Sequence, residues 1–205
     1  INNFENRNID ILIGTQMLTK GLDFDHVSLV GIINADTLLN FPDFRSYERS
    51  FQLMAQVAGR AGRKNNQGKV LIQTYSANHD IIHAVQENNY LKMYHSELLD
   101  RKTFNYPPYC KLISIIISHR DYNLTNQAAR ELALVLIKSF SPNVLGPEYP
   151  AVSKIKNRYL KNILVKIGAD FSLNQSKRHI LKVIDSIHRR SQYKSVRFTI
   201  DVDPQ

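Results

Sequence analysis

The sequence predicts an α/β protein: an incomplete, mostly parallel sheet with helices in the first half, followed by a small α+β domain. Apolar runs of strand length in the first half are continuous rather than alternating, as in a parallel sheet covered on both faces. Paired prolines, Pro107 and Pro108, then forbid a helix and favour an extended turn. Beyond them, strands and helices follow in the order β-α-β-β-α-β.

The first half contains three apolar runs and one clear amphipathic helix. Ser46–Ala61 is predicted to be that helix, because Phe51, Met54 and Ala58 form an apolar stripe. Asn78–Thr103 is predicted to form one long helix or two short ones. Three strands are few for a complete domain, and Ile1 is not a start methionine, so we expect a fragment of a longer protein. The predicted strands are Ile9–Thr15, Val27–Asn34 and Lys69–Tyr75.

The second half alternates strands and helices after the Asn105–Tyr109 junction. Each helix carries an apolar stripe: Ala129, Leu132, Val135 and Leu136 in the first, and Ile180, Ile184 and Ile187 in the second. We expect domain limits at residues 1–90, 91–105 (a helical connector) and 106–205. The elements are predicted at Lys111–His119, Asn123–Phe140, Val144–Val152, Tyr159–Gly168, Gln175–Arg190 and Val196–Val202.

Charge separates the two halves more sharply than composition does. The net charge of the 205 residues is +9. Residues 1–100 hold 9 Lys and Arg against 11 Asp and Glu, whereas residues 101–205 hold 18 against 7. This asymmetry predicts a nearly neutral module followed by one that meets a polyanion.

Cys110 is the single cysteine, so an internal disulfide is excluded, and no histidine spacing predicts a metal site. The sequence has no apolar run long enough to span a membrane.

The octapeptide QVAGRAGR, Gln56–Arg63, contains two arginines three residues apart, each preceded by glycine. At helical spacing Arg60 and Arg63 would point the same way, and the glycines would let a large anion approach. A guanidinium contacts phosphate oxygens through two donors, which suits a terminal phosphate better than lysine does. The alternative is a solvated helix end.

A second element, Gly14–Phe24, follows the first predicted strand. Thr15 offers a hydroxyl suited to a nucleic-acid phosphate, and Asp23, two residues after Gly21, offers an acceptor suited to a ribose hydroxyl. The alternative is a plain strand–turn–helix in which Asp23 caps the helix.

Together, in this order and about 40 residues apart, the two elements resemble motifs V and VI of superfamily 2 helicases. TQMLTKGLDF, LVGIINAD, DFRSYERSFQLMAQVAGRAGR, the YPP junction and the terminal DVDP resemble the C-terminal part of the PriA (primosomal protein N′) family. The resemblance covers nearly the whole chain and is densest in residues 9–75 and 104–112. It implies that the first half is part of a RecA-like second helicase lobe.

The resemblance also implies a function. Members of this family use ATP and Mg²⁺ to move 3′ to 5′ along DNA, recognise stalled forks and restart replication by primosome assembly. Arg60 and Arg63 would reach the nucleotide, Gln56 would couple its state to lobe closure, Gly21 and Asp23 would lie on its ribose side, and Thr15 would contact DNA. The phosphate loop belongs to a lobe that this chain lacks, so we expect the chain alone to be inactive.

Cofactors, partners and location follow from the same resemblance. Zinc is expected in the intact protein but not in this chain, because the family's cysteine-rich module lies upstream of motif V. The partners implied are forked and single-stranded DNA, the acidic tail of the single-stranded-DNA-binding protein and other primosome proteins, with no membrane. The implied location is the bacterial cytoplasm, in association with the nucleoid.

The segment Lys154–Lys161 (KIKNRYLK) is the candidate DNA surface in the second half. Cations beside an aromatic ring suit phosphate contact together with base stacking. If Tyr159–Gly168 is a strand, Lys161 lies at the exposed end of its inward face. The alternative is a solvated edge kept polar against aggregation. The residues in question are Lys154, Lys156, Arg158, Tyr159 and Lys161.

Lys177 and Arg178, on the polar side of the last predicted helix, are candidates for binding an acidic partner peptide. The alternative is that they only keep this face hydrated. For the whole chain, the alternative to a helicase part is a non-enzymatic DNA- or protein-binding module that keeps a helicase-like half-fold.

Overall fold

The computed structural model describes residues 1–15, 26–61 and 68–204. The chain forms two compact units, residues 1–99 and 100–205. Each unit has its own hydrophobic core, as expected of separate domains. Within the described ranges, no helix combines the length and apolarity needed to cross a bilayer.

The first unit pairs two short strands in parallel and packs helices around them. Leu29 lies opposite Lys69 and Ile32 opposite Ile72. This parallel pair confirms the predicted α/β class. Burial alternates along both strands between exposed and half-buried residues, so the expected coverage of both sheet faces is not seen in the described residues. The strands are β1 (Leu29–Ile32) and β2 (Lys69–Ile72), and the helices are α1 (Asn2–Glu5), α2 (Asp36–Leu39), α3 (Ser46–Ala58), α4 (Asp80–Gln86) and α5 (Tyr90–Thr103).

The core of the first unit is formed by α2 to α5 against the strands. Phe51 and Met54, two members of the predicted stripe, are buried in α3 and pack with Ile81 and Ile82 of α4. The predicted segment 78–103 forms two helices, and Asn88 between them has a φ of 50°, which a continuous helix does not allow.

Asp36 joins the start of α2 to the chain that follows β2. Its carboxylate accepts hydrogen bonds from the Tyr75 backbone N–H at 3.0 Å and from Thr74 Oγ1 at 2.8 Å. These bonds, the Tyr75 bond first, hold the pKa of Asp36 below its usual value. The link keeps α2 at the end of the parallel strand pair.

The strand predicted at Ile9–Thr15 is wrong. No strand forms there, and Ile11 and Ile13 are 74% and 85% exposed. An extended segment becomes a strand only by exchanging hydrogen bonds with a neighbour, and this segment pairs with none of the described residues.

The second unit has the predicted order β-α-β-β-α-β, with one two-residue strand added before the third long strand. The prediction of a small α+β domain is therefore confirmed. Its elements are β3 (Cys110–His119), α6 (Tyr122–Phe140), β4 (Val144–Glu148), β5 (Lys154–Ile155), β6 (Arg158–Gly168), α7 (Leu173–His188), a 3₁₀ turn (Ser191–Tyr193) and β7 (Arg197–Val202).

β6 and β3 are the two inner strands of this unit's sheet. The sheet order is β4-β6-β3-β7, all neighbours are antiparallel, and β5 pairs with β6. β3 and β6 pair along ten residues, from Cys110 opposite Gly168 to His119 opposite Tyr159. Because side chains alternate along a strand, this register decides which residues of β6 face the core.

Helices α6 and α7 cover one face of that sheet. Ile113, Ile115 and Ile117 of β3 are fully buried beneath them. Asp121 begins α6 by accepting a hydrogen bond from the Leu124 N–H at 2.7 Å, as an N-cap aspartate does. The helix residues in this core include Ala129, Leu132, Leu136, Ile180, Ile184 and Ile187, and Val135 packs against it partly buried.

The Tyr-Pro-Pro junction is held against β6 by a buried lysine. Lys166 is 8% exposed; its Nζ donates to the Phe104 carbonyl at 2.7 Å and lies 3.6 Å from the centre of the Tyr106 ring. Burial lowers the pKa of Lys166 and raises the pKa of the neighbouring Cys110 thiol. The lysine therefore forms a buried polar link between the junction and the sheet.

Gly146 is required by the geometry of β4. Its φ is 96°, and a Cβ built there would lie 2.6 Å from the Asn162 carbonyl oxygen. Gly168, at the end of β6, has no atom within 4 Å of the same position. Gly168 is therefore a suitable control position for an alanine substitution at Gly146.

We predict that Gly146→Ala lowers the free energy of unfolding by about 1–3 kcal/mol, because alanine strains this backbone conformation and meets the β6 backbone. Gly168→Ala should change it by no more than about 0.5 kcal/mol. Urea unfolding followed by circular dichroism measures both, and hydrogen exchange of β4 and β6 locates the effect. Equal stability of the two variants would contradict the constraint at Gly146.

Candidate nucleotide-contacting residues and nucleic-acid interface

Helix α3 ends before the arginine pair. The predicted helix ran to Ala61, but α3 stops at Ala58 with Gly59 as its C-cap, so Arg60 lies beyond the helix. A tighter turn follows the helix, since the Arg60 N–H donates to the Val57 carbonyl, three residues earlier, at 3.0 Å. Glycine is a poor helix former, which explains the early end.

Around this helix end, Gln56 is exposed in the last turn and Arg60 is half-buried two residues beyond it. Gly59 has a φ of −65°, and an added Cβ would meet only the Ala55 and Gln56 carbonyl oxygens, at 3.5 and 3.6 Å. Neither backbone angle nor packing against the described residues requires glycine at this position.

Thr15 is exposed at the end of the extended segment that was predicted to be a strand. Gly21, Asp23 and Arg63 lie outside the described residues, so their predicted roles stay predictions. Among the described residues, no three His, Cys, Asp or Glu side chains come together as metal ligands.

Lys154–Lys161 forms a tight hairpin, which we call the cationic hairpin. Lys154 pairs with Tyr159 and Ile155 with Arg158, leaving Lys156 and Asn157 as a two-residue turn. Both turn residues have positive φ, 46° and 58°, as in type I′ hairpins. Asparagine tolerates this conformation, whereas lysine is strained in it.

Two lysines of the cationic hairpin lie over aromatic rings. Lys154 Nζ is 4.6 Å from the centre of the Tyr159 ring and 3.5 Å from its hydroxyl. Lys161 Nζ is 3.4 Å from the centre of the Tyr149 ring. Such contacts hold an ammonium group by the negative face of the ring and leave part of it in water. The structure thus brings Lys154, Tyr159 and Lys161 together.

Arg158 is placed differently from the lysines. It is half-buried at the end of the sheet, with Nη2 3.5 Å from the Ser118 carbonyl oxygen. Its Nε is buried and has no hydrogen-bond partner in the described part of the chain. Arg158 is therefore less available to a ligand than Lys154 and Lys156, which are exposed.

The predicted alternation of β6 is confirmed. Ile163, Val165 and Ile167 are buried on the helix-covered face, and Lys161, on the same face, is half-buried near the end of the strand. The β3 register places Lys161 opposite Ile117 and Tyr159 opposite His119.

Tyr122 and Tyr149 are two residues of this surface that the sequence did not point to. Tyr122 begins α6, Tyr149 follows β4, and together with Tyr159 they form what we call the tyrosine cluster. The Tyr122 ring is 6.1 Å from Tyr149 at 13° and 5.4 Å from Tyr159 at 82°. The Tyr149 hydroxyl donates to Asn126 Oδ1 at 3.1 Å. A hydrogen bond with Tyr149 raises the pKa of Tyr122.

Lys177 and Arg178 lie near the other end of the sheet. Lys177 lines a small apolar cavity of about 190 Å³ between α7 and β7, beside Ile113 and Val202, whereas Arg178 is exposed and does not line it. Ile113 is near the start of β3, and the cationic hairpin lies at its far end. The predicted partner-binding and DNA-binding residues are thus separate surfaces.

We predict that Lys156→Asn raises the free energy of unfolding by about 0.5–1 kcal/mol, because asparagine adopts positive φ more readily than lysine. Lys154→Asn is the matched control: it removes the same charge from an extended residue and should bring no gain. Thermal unfolding measures both. A gain of the same size in Lys154→Asn would show that charge, not backbone strain, explains the change.

Comparison with known proteins finds two family matches, one within each compact unit. Residues 102–205 match the family described as "Primosomal protein N C-terminal domain", and residues 1–65 match "Helicase conserved C-terminal domain".

Individual relatives match along the whole chain. The chain is 38% identical over 197 residues to the "Replication restart protein PriA" of Bacillus subtilis, covering 95% of this chain and 24% of that protein. The protein of the same name from Synechocystis is 41% identical over 209 residues, covering 100% and 24%. That of Rickettsia felis is 35% identical over 205 residues, covering 100% and 31%. The chain spans about a quarter to a third of the length of these relatives. One family model covers residues 102–205, half of the chain, and the helicase model precedes it. The chain therefore belongs to the PriA (primosomal protein N) family.

Proposed function

We propose that this chain is the C-terminal part of an ATP-dependent 3′–5′ DNA helicase that recognises stalled replication forks and restarts replication by primosome assembly. The observation that carries the proposal is the order of the two family matches, helicase then primosomal, on a chain whose positive charge is concentrated in the second half. In this proposal, residues 1–90 belong to the second helicase lobe and residues 106–205 form the domain that binds DNA and partners. Residues 91–105 are the helical connector between them.

The helicase role assigns the end of α3 to the nucleotide. Arg60 and Arg63 would stabilise charge on the transferred phosphoryl group, and Gln56 would respond to nucleotide state. Gly59 is exposed at this helix end and adds no side chain that would hinder the approach of an anion, which supports this assignment. Gly21 and Asp23 would lie on the ribose side, and Thr15 would contact DNA. When bound, ATP with Mg²⁺ supplies the phosphoryl group whose hydrolysis drives movement.

The DNA role of the second unit is assigned to the cationic hairpin. Lys154 and Lys156 are exposed at its tip, and Lys161 is held over Tyr149. Keeping lysine rather than asparagine or glycine at the strained position 156 costs stability, which supports a use for that charge. The tight turn fixes the direction in which the cations point, as positioning of a phosphate backbone requires.

Partners other than DNA are assigned by charge and by the family. We propose that Lys177 and Arg178 receive the acidic tail of the single-stranded-DNA-binding protein, and that other primosome proteins assemble on the intact helicase. The protein would act in the bacterial cytoplasm at the nucleoid. Zinc would be held outside this chain. The alternative, a non-enzymatic binding module, shares the DNA surface but has no use for the arginine pair.

We predict that the 205-residue chain binds forked DNA, and that log affinity falls linearly with log salt concentration. Each phosphate that the protein no longer neutralises should reduce the slope by about 0.7–0.9, so Lys154→Gln and Lys156→Asn should each flatten it by roughly that amount. Fluorescence anisotropy measures the slope. Lys177→Gln, at the other end of the sheet, is the charge-matched control and should leave the slope unchanged.

No binding even at low salt would refute DNA binding by the second unit alone. An equal effect of Lys177→Gln would refute the placement of the DNA surface at the cationic hairpin.

We predict that Arg60→Ala or Arg63→Ala in the intact protein lowers DNA-stimulated ATP hydrolysis by about 10³- to 10⁵-fold, because an arginine that stabilises transition-state charge contributes that much. The 205-residue chain alone should hydrolyse no ATP. Arg49→Ala is the control, since Arg49 lies on α3 and pairs at 3.0 Å with Asp43, which precedes that helix. Full activity of the Arg60 and Arg63 variants would contradict their roles, and an inactive intact protein would favour the binding-module alternative.

A further inference from the structure

The tyrosine cluster is more exposed than a purely structural aromatic contact requires. Tyr122 and Tyr149 are 49% and 42% exposed although each ring already contacts another. The three rings come from three separate parts of the second unit: the first residue of α6, the residue after β4 and the second residue of β6. Two exposed rings beside a third, half-buried one form a ready surface for another flat ring.

Cations surround this surface at close range. Lys161 lies over Tyr149 at 3.4 Å and Lys154 over Tyr159 at 4.6 Å, while Lys156 is exposed at the turn between them. A phosphate attracts an ammonium more strongly than an exposed ring face does. A polyanion would therefore draw Lys154 and Lys161 off the rings, which frees ring faces at the same time as it neutralises phosphate charge.

Rings and cations together match one chemistry. In duplex DNA both faces of each base are covered by neighbours, whereas a single strand presents bare base faces beside its phosphates. We propose that Tyr122, Tyr149 and Tyr159 stack unpaired bases of single-stranded DNA while Lys154 and Lys161 neutralise the flanking phosphates. This inference rests on the proposed DNA binding by the second unit, and it adds Tyr122 and Tyr149 as residues that distinguish single-stranded from duplex DNA.

Asn126 supports the arrangement from α6. It accepts the Tyr149 hydroxyl at 3.1 Å and, through Nδ2, donates to the Tyr122 carbonyl at 3.0 Å. It thereby ties Tyr149, in the segment after β4, to the first turn of α6.

The test compares the 205-residue chain with Tyr122→Leu and Tyr149→Leu on two ligands, a single strand of about 15 thymidines and a duplex of equal length. Anisotropy gives both affinities, and a strand carrying one 2-aminopurine reports stacking directly by fluorescence quenching. Each Leu variant should lose about 5- to 150-fold in single-strand affinity, the loss expected for one stacked base, with duplex affinity unchanged. Tyr122→Phe and Tyr149→Phe keep the ring and should keep single-strand binding and quenching.

Tyr75→Leu is the matched control, because Tyr75 is fully exposed in the first unit, and it should change neither affinity. Equal loss on both ligands, or no loss on either, would overturn the stacking role and leave the cluster as a clamp on the segment after β4. If a Leu variant melts at a lower temperature than wild type, the Phe variants become the test of the stacking role. Loss of 2-aminopurine quenching in a Phe variant, which keeps the ring, would also overturn that role. Wild type that binds neither ligand would refute DNA binding by the second unit. Wild type that binds both ligands equally would instead overturn the stacking role and leave DNA binding standing.

Discussion

The pairing of β3 with β6 is the constraint on which the second unit depends. Ten residues of each strand lie in unbroken antiparallel register, and β3 is hydrogen-bonded on both sides. With Ile115 opposite Ile163, every second residue of both strands faces α6 and α7. A slip of one residue would send this apolar set to the opposite face, so burial of these side chains holds the register strongly.

The same register positions the candidate DNA surface. Because Val165 and Ile163 must face the core, Lys161 and Tyr159 continue that face toward the end of the strand. There the sheet no longer lies under the middle of α6, and Tyr159 meets Tyr122 at the start of that helix. Core packing at one end of β6 thus determines the direction of the cations and rings at the other.

Local pattern in the sequence was enough for most of the second unit and for part of the first. The stripes of α6 and α7 and the apolar run of β3 predicted the elements that form, since each reflects burial on one face. Ile9–Thr15 has the same apolar character but forms no strand, because a strand depends on a partner elsewhere in the chain. Helix α3 ends at Ala58 because Gly59 and its cap geometry outweigh the periodicity that suggested Ala61.

The candidate site was predicted only where its residues are neighbours in sequence. Lys154–Lys161 is one hairpin, so composition alone pointed to it. The fold brings Tyr122 and Tyr149 next to this hairpin, and no local sequence pattern predicts contacts between residues so far apart in the chain. Lys166 is a similar case, because only the structure shows that its Nζ donates to the Phe104 carbonyl, 62 residues earlier in the chain.

Hydrogen–deuterium exchange of the 205-residue chain, with and without forked DNA carrying a single-stranded arm, tests directly whether the cationic hairpin and the tyrosine cluster bind DNA. DNA should slow exchange in residues 149–161 and at the start of α6, and should leave the first turns of α7 around Lys177 unchanged. Protection centred on α7 with none in the cationic hairpin would contradict that prediction.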